Sequence, residues 1–173
     1  MAGEQDDPGA PAGSERHSTI RPAGTAVERK RRQGAAVAIA GAGIVALGAF
    51  LPWAKLTAPF VGTVSTSGME GGDGVFFLVM AAGVGLIAAN AYRSAPERPA
   101  RYRIAMAALV VGLLLLTVVE VLDLRSRFSE ASEQGAGLIR TSYGTGIWLV
   151  AIGSGVTALA WVRIPWAAPP DAR

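Results

Sequence analysis

Acidic side chains beside apolar runs are the residues best placed to do chemistry in this 173-residue chain. Glu120 and Asp123 are three positions apart, so a helix would carry both on one face. An ionisable group within an apolar span is costly and is a functional candidate by default. A pair of carboxylates at the mouth of a cavity would accept a proton or a cation. Glu120 falls about 25 Å along a helix from Arg103, at an interface and away from any midplane, which favours plain pairing with Lys55, Arg125 or Arg140. Asp73, between Gly72 and Gly74, is the third candidate, in place to be an N-cap or first-turn carboxylate. Asn90 reads as a helix-end hydrogen-bonding residue.

Other chemistries find little support. Cysteine is absent, which excludes disulfides and thiolate metal sites. The one histidine, His17, lies in a Gly/Pro/Ser-rich stretch with no second ligand or oriented partner. No serine, histidine and acid arrangement points to nucleophilic catalysis. Gly41-Ala-Gly43 follows no strand, and Gly72-Asp-Gly74 lacks the further acids of a calcium loop. The chain is therefore expected to be no enzyme, with no catalytic residue, cofactor, metal or nucleic-acid partner. Trp53, Trp148, Trp161 and Trp166 fall near the ends of apolar runs and are expected to be interfacial anchors.

The elements that must position these residues are dominated by one run. Ile104 to Val119 is uncharged, and extended to Leu122 it makes a helix of about 28 Å, against a hydrocarbon core of about 30 Å. Three further runs behave alike, and the composition agrees, with 51% hydrophobic residues and a mean hydropathy of +0.37. The expected fold is an all-α membrane bundle of four transmembrane helices, over about 34–52, 74–92, 103–122 and 144–162. Residues 1–33 are expected to form a disordered basic cytoplasmic tail and 164–173 a second tail.

Between the spans, Ala54 to Asp73 has the β-branched and aromatic content of a hairpin broken at Pro59. Leu138 to Tyr143 has strand-like content and is expected to pair with it, giving a small extracytoplasmic cap. Beyond Leu122 the helical spacing of Leu124 and Phe128 predicts several further turns of the third helix. Gly34, Ala38, Ala42 and Ala46 recur every four residues, and Gly41 and Gly48 are seven apart. Ala81, Gly85 and Ala89, and then Gly146, Ala151, Ser154, Gly155 and Ala158, give two more spans small-residue faces. Such faces allow close helix approach, to a membrane-protein partner or to a second copy of the chain.

Orientation follows from charge. Glu28-Arg-Lys-Arg-Arg32 precedes the first span. A cleaved signal peptide would need a better cleavage site than Leu51-Pro-Trp-Ala54, and the residues around Arg31-Arg32 make a poor twin-arginine address. An uncleaved cytoplasmic anchor fits, and the run would also touch anionic lipid headgroups. Four arginines between Arg93 and Arg103 vote for the same side. Both termini are thus expected in the cytoplasm of a cell with this protein in its cytoplasmic membrane.

Phe50-Leu-Pro-Trp53, Gly72-Asp-Gly74 and Tyr143-Gly-Thr-Gly-Ile-Trp-Leu149 together resemble a loose group of small four-span membrane proteins of high-GC bacteria. The resemblance covers about residues 34–162, implies architecture and carries no catalytic residue across. Claudin-like four-span proteins also pair a bundle with an outer sheet. This chain lacks their cysteine pair and their Gly-Leu-Trp element, so a junction-forming role does not carry over. The expected role is a binding, scaffold or accessory protein, with a small transporter or channel subunit acting as an oligomer as the alternative.

Overall fold

Four helices long and apolar enough to cross a membrane make up most of the computed structural model, which describes residues 23–59, 62–94, 99–134 and 140–165. In chain order the elements are α1 (Ala23–Phe50), β1 (Pro52–Ala58), β2 (Gly62–Ser67), the short α2 (Gly68–Gly71), α3 (Asp73–Arg93), α4 (Pro99–Gln134), β3 (Arg140–Tyr143) and α5 (Thr145–Arg163).

Two helix boundaries differ from a hydropathy reading. α1 begins at Ala23, eleven residues before Gly34, so part of the segment expected as a tail is helical. Glu, Arg, Lys and Gln are good helix formers, and Glu28 pairs with Arg32 one turn on at 2.5 Å. Hydropathy marks where a helix meets lipid, whereas backbone propensity decides where it stops. The Arg32 guanidinium also lies 6.0 Å from the centre of the Tyr92 ring, tying α1 to the end of α3. α4 continues past Leu122 to Gln134, as the spacing of Leu124 and Phe128 predicts. Its first residue is Pro99, where a missing N–H leaves no helical bond unmade. Residues 1–22, His17 among them, and Trp166 lie outside the described residues.

Around the bundle α1 packs between α3 and α5, and α4 closes the ring against those same two helices. The α1–α5 contact is set by glycines seven residues apart. A side chain at Gly34 would run into Ile164, one at Gly41 into Thr157 and Gly153, and one at Gly48 into Gly146 and Val150. The helices are therefore antiparallel, and α5 answers with its own seven-residue series, Gly146, Gly153 and Ala160 alternating with Val150, Thr157 and Ile164. Lipid tails are as apolar as leucine, so close van der Waals packing of this kind drives helix association where water exclusion cannot. Gly34, Ala38 and Ala42, read from sequence as a face for a partner, are buried inside the bundle.

Larger side chains fill the interior: Phe77 and Val84 from α3, Met106 and Leu113 from α4, Val45 from α1 and Val150 from α5 are all closed off. A polar contact crosses it. Thr117 Oγ1 and Ser154 Oγ lie 3.2 Å apart, and each also lies within donating reach of the carbonyl four residues back, of Leu113 and Val150 respectively. With one proton apiece, one hydroxyl donates across the helices while the other donates to its carbonyl. No hydroxyl in this contact is left to face hydrocarbon alone.

At one end of the bundle sits an antiparallel sheet of order β2-β1-β3. β1 pairs with β2 from Pro52↔Ser67 to Ala58↔Gly62, with an irregularity between Pro52 and Ala54, and with β3 from Ala54↔Tyr143 to Thr57↔Arg140. The hairpin and its pairing with the second loop match the sequence reading. Thr57 and Thr63 add a cross-strand hydroxyl contact at 2.9 Å.

Candidate functional site

The joint between sheet and bundle is built on Trp53, the second residue of β1. Its indole N–H donates to the carbonyl oxygen of Gly48 at 2.9 Å, and its ring meets Phe77 edge-on at 5.4 Å between centroids. Gly68 and Gly146 lie against the same indole, where a side chain at either position would collide with it. The Gly144 N–H donates to the Trp53 carbonyl at 2.7 Å, so the chain entering α5 is hung on the same residue. Trp53 is 5% exposed. This corrects the expectation of an interfacial anchor: proximity to a span end is visible in sequence, but the direction of the ring is set by the glycines that make room for it.

The other tryptophans differ. Trp148, at the start of α5, is exposed and stands edge-on to Tyr143 at 6.4 Å. Tyr143 in turn meets Phe128 at 5.0 Å, so the extra turns of α4 brace β3. Trp161 is half-buried at the opposite end of the bundle.

The three candidate acids come together on the sheet end of α3 and α4. Gly72, with φ of 85°, closes α2 and caps α3, which leaves Asp73 in the first turn of α3. A left-handed backbone there suits glycine alone without strain, and the carboxylate next to it faces the positive end of the helix. Glu120 has Asp73, Asp123 and Arg127 as its charged neighbours. Asp123 Oδ2 lies 2.6 Å from Arg127 Nε, a partner one turn on and not the expected Lys55, Arg125 or Arg140. Helix geometry explains the correction, since i and i+4 side chains meet without any help from another element. Among the described residues no three acids or histidines converge closely enough to hold a metal ion. The arrangement is an acidic rim on a surface and encloses no reacting atom. Asn90 does bond at a helix end, donating from Nδ2 to the Tyr102 hydroxyl at 2.8 Å between α3 and α4.

The end away from the sheet gathers the basic residues that the sequence places on one side, and beside them lie grooves that the sequence reading missed. Helix directions bring Arg29 to Arg32, Arg93, Arg101, Arg103 and Arg163 to this end. Two grooves open here on either side of the last turns of α5. One, of about 800 Å³, lies against the start of α4 and includes Arg103 and Trp161. The other, of about 740 Å³, lies against α1 and includes Lys30 and Arg163. A basic residue seven positions from an apolar one on each helix is the trace they leave in sequence, too common to be noticed without the pairing of α1 with α5.

Comparison with family models, with curated proteins and with solved structures gives no match for this chain.

Proposed function

We propose that the protein is a multi-pass component of a bacterial cytoplasmic membrane, with both termini cytoplasmic, acting as a binding or accessory protein without enzymatic activity. Its partner meets the three-stranded cap. The observation that carries this reading is the cap itself: two loops from distant parts of the chain form one sheet, fixed to the bundle through Trp53. Surface strands held this firmly keep their shape for a partner, which lowers the ordering cost of binding. β2 offers an exposed edge of Gly, Thr, Val and Ser without lysine or proline to block another strand. Gly43 and Gly155, with open space where a Cβ would stand, leave room for a neighbouring helix alongside.

The packed interior weighs against transport by a single copy. Phe77, Met106 and Leu113 occupy the space a polar path would need. The experiment for the binding reading is photo-crosslinking from position 64, where Val64 is 54% exposed on β2, at native expression. A discrete adduct with a membrane or extracytoplasmic protein is expected. Its absence from positions 64 and 66 alike would overturn the assignment of the cap as the binding surface.

A further inference from the structure

The groove between α1 and α5 has an order of side chains that matches one kind of molecule. At the end away from the sheet are Lys30 and Gln33 from α1 and Arg163 from α5. Further along the helices, toward the sheet, the lining is Val37 from α1 and Val156 and Leu159 from α5. Lys30 to Val37 spans about 10 Å along α1, and Arg163 to Val156 the same along α5. Because the helices are antiparallel and pinned by Gly34 against Ile164, both cations stand at one end and all the apolar groups at the other. Neither Lys30 nor Arg163 belongs to an ion pair among the described residues, where Glu28 is taken by Arg32 and Asp123 by Arg127.

We infer that this groove binds an anionic phospholipid, with Lys30 and Arg163 on the phosphate and an acyl chain along Val37, Val156 and Leu159. The inference rests on the membrane reading above. At about 740 Å³ the groove falls within the range of roughly 300–1,000 Å³ that small-molecule sites occupy. Basic pockets between membrane helices recognise anionic headgroups because two fixed cations gain most from a net negative charge. The Gln33 amide adds a neutral donor for the glycerol ester or headgroup oxygens. The α4–α5 groove, with Arg103 as the cation in its lining, is the internal comparison and selects less strongly.

The test uses the full chain in vesicles of phosphatidylglycerol and phosphatidylcholine with matched acyl chains. The vesicles are floated, the protein is moved to a mild neutral detergent, and retained lipid is weighed by native mass spectrometry. At about five-fold per cation, retention of phosphatidylglycerol over phosphatidylcholine is expected to approach 25-fold. Lys30→Gln with Arg163→Gln should abolish the preference. Arg125→Gln with Arg140→Gln, the same change of charge at the other end, should leave it intact. Leu159→Trp fills the groove without altering charge and should reduce retention of both lipids. Equal selectivity in the wild type and the Lys30/Arg163 variant would overturn the site, as would a dimer whose interface shuts lipid out of it. A chain that floats with vesicles yet shows no preference overturns this site alone. A chain that does not float overturns the membrane reading and the site with it.

Discussion

The indole N–H of Trp53 reaches back five residues to the carbonyl of Gly48, the third glycine of the α1–α5 seam. One residue thus joins the cap to the glycine seam between α1 and α5. Trp53→Phe removes the hydrogen bond, worth about 0.5–1.5 kcal/mol, while keeping an aromatic ring against Phe77. Trp53→Ala also opens a cavity and is expected to cost about 3–5 kcal/mol. Thermal unfolding in detergent, followed by circular dichroism, should rank wild type above Phe and Phe above Ala. Equal melting of all three would show that the joint contributes nothing to stability.

Gly41 and Gly43 provide a matched pair one half-turn apart. A Cβ at Gly41 would stand 2.5 Å from Thr157 Oγ1, whereas nothing lies within 4 Å of one at Gly43. Gly41→Val is expected to destabilise by about 1–3 kcal/mol through overpacking. Gly43→Val should change stability by less than about 0.5 kcal/mol. The same melting measurement compares them, and a larger loss at Gly43 would contradict the seam.

Thr117 and Ser154 make the polar contact between α4 and α5. A double-mutant cycle with Thr117→Val and Ser154→Ala should give a coupling of about 0.6 kcal/mol, the usual size between membrane helices. Each hydroxyl has a carbonyl of its own helix as a competing acceptor, which is why the coupling stays small. A value near zero would mean that the two hydroxyls bond only within their own helices.

Asp123 pairs with Arg127 on an exposed helix surface. Asp123→Asn should cost no more than about 0.5 kcal/mol, because solvent screens such pairs. A loss of several kcal/mol, or a loss of crosslinking from position 64, would assign the acidic rim a role beyond solvation.

Orientation is checked with single cysteines, since the chain has none of its own. Ser65→Cys on β2 should react with a membrane-impermeant maleimide in intact cells. Ser94→Cys, just past α3, should react only after permeabilisation. The reverse pattern would invert the proposed topology.

Much of the architecture was legible in the residues themselves. Length and hydropathy mark the four long helices, because a span must be apolar over its whole reach whatever it packs against. The hairpin and the strand at Arg140–Tyr143 show through β-branched content, and the added turns of α4 through the spacing of Leu124 and Phe128. Asp73 at the start of α3 follows from local turn chemistry. Only the tertiary structure decided which small residues face which helix, that Trp53 turns inward, and that Lys30 and Arg163 flank one groove. Periodicity reports a residue's angle about its own helix. Which neighbour occupies that angle depends on how four helices share one interior, and no single segment holds that information.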